Sequence, residues 1–247
     1  MSWIITGREA GPADPYIGNV SLLLHGDGAN GSTTIVDSSP SPKTVTAVGD
    51  AQINTTVTDA FGRTGVGVIA FDGTGDYLTV PDNAAFEFGS GNFTIELWFY
   101  ATAGSGTNRC FIAKSNRNSL GGNGPFGLQI SNTNKLQMVF DKDATGQTWD
   151  IDVQGITNIS LNTWHHIAVV RSGNVFTAYL NGASEVTATN SMTLVDNAEL
   201  LVIGALGYTT PPFVNLYTGY IDDLRITKGV ARYTANFTPP TAPFPDF

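Results

Sequence analysis

Cysteine occurs once, at Cys110, so no disulfide can form within the chain and no cluster of thiolates can hold a metal. Its neighbours Phe111 and Ile112 suit a small buried residue better than a reactive thiol. Charge is also scarce: Asp, Glu, Lys and Arg together make up 13% of the 247 residues, and the formal net charge is −9. No cluster of Lys or Arg interrupts that acidity, which excludes the electrostatics that draw proteins to nucleic acid or to anionic membranes. A cation or a neutral sugar is the better-matched partner. No run of 18 apolar residues is present, so membrane insertion through a helix is not expected. The stretch from Met1 to Glu9 has no charged segment followed by an apolar one, and the expectation is a chain without a signal peptide, made in the cytoplasm. Helical periodicity is missing beyond two or three turns, and so are internal repeats, phosphate-binding glycine loops and His-Glu-x-x-His zinc motifs.

What is abundant is the material of short strands and tight turns: apolar residues reach 41%, punctuated by 28 glycines. One domain is expected over residues 19–229, between an irregular arm at 1–18 and a proline-marked strap at 230–247. Its centre reads as a hairpin of residues 164–171 and 175–180, turning at Ser172-Gly173-Asn174 and closed by Asn181-Gly182. In the first of these strands Trp164, His166, Ala168 and Val170 share one face, and His165, Ile167, Val169 and Arg171 the other. Neither face is plainly wet, so the strand belongs in the middle of a layered structure. Residues 93–100 alternate more cleanly, with Phe93, Ile95, Leu97 and Phe99 towards a core and Trp98 and Tyr100 on a half-wet face. At about 25 cal/mol per Å² of apolar area, burying the first set is worth several kcal/mol and fixes the register. Further strands are expected at 20–24, 33–36, 43–48, 68–71, 77–80, 109–114, 126–130, 136–140 and 148–153, with long loops at 115–125 and 207–215. The pattern is that of an all-β sandwich of two antiparallel sheets.

Four segments, in order, carry a resemblance. They are Phe71-Asp72-Gly73 with Asp76-Tyr77-Leu78, then Phe93-Thr94-Ile95-Glu96-Leu97-Trp98, then Trp164-His165 with Leu180-Asn181-Gly182, then Gly219-Tyr220-Ile221-Asp222-Asp223-Leu224-Arg225-Ile226. Over about residues 20 to 228 the chain resembles the laminin-G-like branch of the concanavalin A-like lectin and glucanase superfamily. That resemblance implies a two-sheet jelly-roll sandwich and leaves the ligand open, because this superfold hosts lectins, glycanases, adhesion modules and structural domains. The ending from Ile226 to Tyr233 and from Phe237 to Pro240 resembles sandwich domains of tailed-phage structural proteins. It implies a non-catalytic lectin-like module of a virion, in a tail fibre, tail tip or capsid decoration, contacting host cell-surface glycans. Repetition as a homo-oligomer, with arm and strap attached to other virion proteins, goes with that setting. A purely structural virion protein and a divergent glycan hydrolase are the alternatives.

The hydrolase alternative rests on Asp150, Asp152 and Gln154, which share one strand face as three acids do in the laminarinase-type glucanases of this superfamily. An amide in the last position has no proton to give, and retaining hydrolysis needs two working carboxyls. His165 and His166 are adjacent and point to opposite faces, so they cannot share a metal or form a dyad. Asp222 has the parity of Leu224 and Ile226, which aims a carboxylate at the core unless a bulge or an ion accommodates it. Proteins that resemble this one often hold structural calcium near that strand, which implies Asp222 with Asp27 as ligands and Asp72 with Asp76 as a second set. For a sugar, aromatic faces beside amides and charged groups are needed, and Trp149, Tyr208, Tyr217, Asn116 and Arg117 come from loops or strand ends able to supply them.

Overall fold

Period-two alternation along the chain resolves into two antiparallel sheets packed face to face in a computed structural model, which describes residues 13–115, 124–143, 148–207 and 213–247. With strands numbered in chain order, the eight-stranded sheet runs β13 (Ala183–Thr189), β12 (Val175–Leu180), β11 (Trp164–Ser172), β6 (Phe93–Ala101), β15 (Thr218–Lys228), β4 (Val68–Asp72) and β3 (Gln52–Asn54). Its eighth member, β1 (Val20–Leu24), pairs with the second half of β15, while β4 pairs with the first half. The seven-stranded sheet runs β10 (Ile151–Asn158), β9 (Lys135–Phe140), β8 (Phe126–Ile130), β7 (Arg109–Lys114), β14 (Leu201–Ile203), β5 (Tyr77–Val80) and β2 (Thr46–Val48). Helix among the described residues is limited to two 3-10 turns, Ile17–Asn19 and Ala84–Phe86, neither able to cross a membrane.

The expected register of β6 holds. Phe93, Ile95, Leu97 and Phe99 are all in the inter-sheet core, where Phe99 meets Phe111 at 4.6 Å and Phe93 meets Phe140 at 5.7 Å between ring centres. Cys110 is buried in a small cluster with Ala113 and Leu206, and burial pushes its thiol up to about 12, which leaves it inert. The hairpin β11–β12 also forms, but the reason β11 has no wet face differs from simple sandwich packing. Its inner residues Ile167 and Val169 meet the other sheet, whereas Ala168 and Val170, with Tyr179 of β12, lie under Ala231, Tyr233 and Phe237 of the strap. The strap is therefore a third layer. Tyr233 and Phe237 stack at 3.6 Å with rings 6° apart, and Phe237 N donates to Gly182 O at 2.9 Å. Gly182 has φ +79° and a Cβ there would fall on the Phe237 carbonyl, so the Asn-Gly turn that closes the hairpin also seats the strap.

Arm, sheet and strap share one buried ionic network. Glu96 of β6 and Arg225 of β15 are direct cross-strand partners, joined at 3.0 Å through Nε and 2.8 Å through Nη2. Arg225 and Arg232 both donate to Asp14, and Tyr233 Oη donates to Glu96 at 2.8 Å. Burial alone would raise the Glu96 carboxyl, but Arg225, His166 at 3.5 Å and Arg232 hold it down to about 2.

Some strand expectations need correction. Residues 33–36 form no strand, only a bridge from Leu24 to Asp37, because Asp37 draws the backbone into a turn by accepting from Leu23 N, Ser39 N and Lys43 N. The strand expected at 148–153 lies instead at Ile151–Asn158. Three strands were not anticipated: β3 and β14 are three residues long, too short for a periodicity, and β13 is an edge strand with a largely exposed, polar surface.

Candidate functional site

The strap covers the outer face of the eight-stranded sheet over β12, over β11 from His166 to Val170 and over part of β1, and among the described residues leaves it open over β3, β4, the start of β15 and the start of β11. Across the open part runs one row of directly opposed residues: Gln52, Ala70, Tyr220, Tyr100 and Trp164. All five are half-buried. Ring centres are 5.8 Å apart for Tyr220 and Tyr100 and 5.5 Å for Tyr100 and Trp164, and Trp164 Nε1 is fixed by donating to Thr58 O at 2.9 Å. The smallest member, Ala70, sits between Gln52 and Tyr220 and leaves a hollow of about 240 Å³, rimmed by Asp50, Asn54, Asp72 and Thr218. Two glycines permit the close approaches that shape it. A Cβ on Gly219, at φ +140°, would strike the Tyr100 carbonyl, and one on Gly73, at φ +85°, would strike Thr218 Oγ1.

The acid groups of the rim are held by backbone donors. Asp76 is buried and accepts from Asp50 N at 2.8 Å and from Asp72 N at 2.9 Å, while Asp72 caps its turn by accepting from Thr74 N at 2.6 Å. Carboxylate oxygens of Asp50, Asp72 and Asp76 all lie within 4.8 Å of one another. Burial first, then the Asp50 side chain and the neighbouring Asp72 charge, raise the Asp76 carboxyl against the pull of the two backbone donors. The arrangement offers an aromatic wall, amides and exposed carboxylates to a polar ligand. None of the three imidazoles borders it. His25 pairs with Asp223 at 2.5 Å, His165 is held by Ser160 and Asn181, and His166 lies beside Glu96 against Phe237.

Residues expected to meet a sugar fall elsewhere. Trp149 is half-buried just before β10 and does not line the hollow. Tyr217 is wholly buried, packed against Phe71 at 6.1 Å and Phe111 at 5.3 Å, so no ring face is left for a sugar and, against expectation, it is a core residue. Tyr208, Asn116 and Arg117 lie outside the described residues. Asp222 does not face the core with Leu224: a bulge at Asp223, whose φ is +46°, turns it to the other face of the sheet opposite Trp98, where it is still fully buried and accepts from Ala60 N at 3.3 Å. Asp27 is exposed, and among the described residues neither it nor Asp222 belongs to a converging group of three acids, whereas Asp72 and Asp76 do, with Asp50. The glucanase-like face is a hydrogen-bonded ladder. Asp150 pairs with Lys142, Asp152 accepts from Gln137 Nε2 at 2.5 Å, and Gln154 accepts from Thr133 at 2.9 Å. Sequence reasoning missed Tyr220, although its parity with the half-wet Tyr100 follows from the two strands being neighbours.

Comparison with known proteins bears on these observations. A family model described as the concanavalin A-like lectin/glucanases superfamily matches residues 72–232, more than half of the chain. Similar solved structures include the binding domain of Paraclostridial Mosquitocidal Protein 1, with a TM-score of 0.65 at 16% identity over 87% of this chain and 50% of that one. The botulinum neurotoxin serotype D binding domain aligns with a TM-score of 0.61 at 16% identity, over 88% of this chain and 50% of the other. The binding domain of botulinum neurotoxin DC in complex with SialylT gives 0.62 at 15% identity, over 87% and 49%. The chain thus spans about half the length of these neighbours, and at such identities the likeness is one of fold. No curated protein matches it in sequence. With both antiparallel sheets in place and the family model spanning most of the sandwich, the chain belongs to the concanavalin A-like lectin and glucanase superfamily.

Proposed function

We propose that the protein is a non-catalytic, lectin-like module that holds cell-surface glycans at the hollow beside Tyr220. The observation that carries this reading is the opposed row of Tyr220, Tyr100 and Trp164 ending in a cavity walled by amides and carboxylates. A pyranose ring needs that combination, an apolar face to lie on an aromatic one and neighbouring groups for its hydroxyls. Support comes from the similar solved structures, which are binding domains, one of them in complex with SialylT. Catalysis finds no support in the hollow: Asp76 gives both oxygens to backbone donors, which suits neither a nucleophile nor a general acid. A virion that displays many copies is the proposed setting, resting on the resemblance of residues 226–240 to phage structural proteins. Multivalency there raises avidity by roughly 10² to 10⁴ over a weak single site. Attachment through the strap loses ground as a competing role, since the strap is occupied with covering its own sheet.

Tyr220→Ala and Tyr100→Ala, displayed on a multimerised protein, are each expected to weaken glycan-array binding about tenfold, in line with the loss of one good aromatic contact. Trp149→Ala tests the half-buried aromatic before β10 in parallel. Signals insensitive to Tyr220 and Tyr100 but lost with Trp149 would move the site; an array silent for the unaltered protein would favour a purely structural role.

A structural calcium ion is part of the same proposal, held by Asp27 and Asp222 or by Asp72 and Asp76 with Asp50 beside them. An ion that binds only the native state adds about 2.7 kcal/mol at a hundredfold excess over its Kd. Chelation is then expected to lower the melting temperature by about 5 to 10 °C. Asp222→Asn and Asp72→Asn assign the loss to one set, and a melting curve indifferent to chelator removes the ion from the account.

A further inference from the structure

The residues that line the hollow beside Tyr220 include three carboxylates and no Lys, Arg or His. Asp50 and Asp72 are exposed at its rim, on the same side as the backbone turn that buries Asp76 beneath them. The neutral Gln52 and Asn54 complete its polar lining. Asn54 commits Oδ1 to Thr56 N at 2.8 Å and Val57 N at 3.2 Å, so its amide NH2 is the group left to donate. Tyr220 supplies a ring whose face attracts a cation, and Thr218 a hydroxyl at the rim. A ligand that satisfies this lining has hydroxyls for the amide and for Thr218, an apolar ring face for Tyr220, and a positive group for Asp50 and Asp72.

Resting on the glycan reading above, we propose that the hollow selects sugars carrying a free amine, of the glucosamine class, over their N-acetylated counterparts, and rejects sugars carrying a carboxylate or sulfate. An ammonium placed between two exposed carboxylates and an aromatic face gains charge-assisted hydrogen bonds that an acetamide cannot make. An anionic sugar meets the same two carboxylates as repulsion, with no cation in the lining to offset it.

The test uses the whole chain with chelator present, so that no divalent ion neutralises the rim. Titration calorimetry compares the glucosamine tetramer, the N-acetylglucosamine tetramer and sialyllactose at about 0.01 M ionic strength, where the Debye length is about 30 Å. The glucosamine tetramer is expected to bind about tenfold more tightly than its N-acetylated form, with sialyllactose weakest. Raising the ionic strength to about 1 M, where the Debye length is about 3 Å, is expected to narrow that preference without any substitution. In the double variant Asp50→Asn, Asp72→Asn the two tetramers are expected to bind equally. Tighter or equal binding of the N-acetylated or sialylated ligand at low salt overturns the charge selection and leaves the glycan site standing. Binding of none of the three sugars removes the glycan reading, and this inference with it.

Discussion

Arg225→Met is expected to lower the melting temperature by about 6 to 20 °C. The guanidinium bridges Glu96 and Asp14 in a region with almost no solvent, and removing it leaves two buried carboxylates with Arg232 and, beside Glu96, His166 and the Tyr233 hydroxyl. Breaking one side of such a buried pair costs about 3 to 5 kcal/mol, and a domain of this size loses about 2 to 4 °C per kcal/mol. The pair Glu96→Gln, Arg225→Met is expected to lose less than the sum of the two single changes, because each single change strands a charge that the double one removes. A thermal shift of under about 2 °C for Arg225→Met would show that the network is ornamental.

Acid should expose the same network. The Glu96 carboxyl is held at about 2 against an ordinary value of 4.5, so the unfolded chain binds its proton first as the pH falls. Its contribution is fully present above about pH 4.5 and disappears as the pH drops through about 2, a change on the order of 3 kcal/mol. Asp14 is shifted in the same direction: burial opposes the shift, and Arg232, the Tyr16 backbone N–H and Arg225 together outweigh it. Asp76 works the other way, since a raised folded value adds stability at low pH that fades as the pH rises through it. Comparing acid unfolding of the native chain with that of Glu96→Gln separates these. The Gln variant should show a flatter pH profile between about pH 5 and 2, and identical slopes would place the sensitive carboxylate elsewhere.

How far the residues themselves disclose the molecule is clear from particular strands. β6 is legible because nine residues alternate without interruption, and a one-residue slip would turn Phe93, Ile95, Leu97 and Phe99 into solvent. At Asp222 the same parity puts a carboxylate towards the core unless a bulge or an ion intervenes, and the left-handed Asp223 supplies the bulge, breaking the ladder by one residue. The inward-aimed carboxylate signals that something must give there, but the residues of Ile-Asp-Asp-Leu do not say whether it is a bulge or an ion. Tyr217 looked accessible because it follows a long loop, yet its ring closes the core next to Phe111, a contact set by folding over a separation no local pattern encodes. The site itself is a product of lateral neighbourhood. Gln52, Ala70, Tyr220, Tyr100 and Trp164 come from five strands, and only the strand order makes them a row.

That strand order also dictates a schedule. β15 lies between β6 on one side and both β4 and β1 on the other, and its pairing of Thr227 with Val20 joins positions separated by nearly the whole chain. During synthesis, at about 5 to 20 residues per second, β6 and β4 wait with one flank unpaired for many seconds until residues 218–228 emerge. A keystone strand delivered late makes the assembly non-local, and such topologies close in milliseconds to seconds rather than microseconds. For that interval the waiting flanks present open backbone donors and acceptors to any neighbouring nascent chain. Crowded translation of many copies is thus the circumstance in which this sandwich is most exposed to pairing with the wrong partner, and the arrival of the last strand and its covering segment is what ends the exposure.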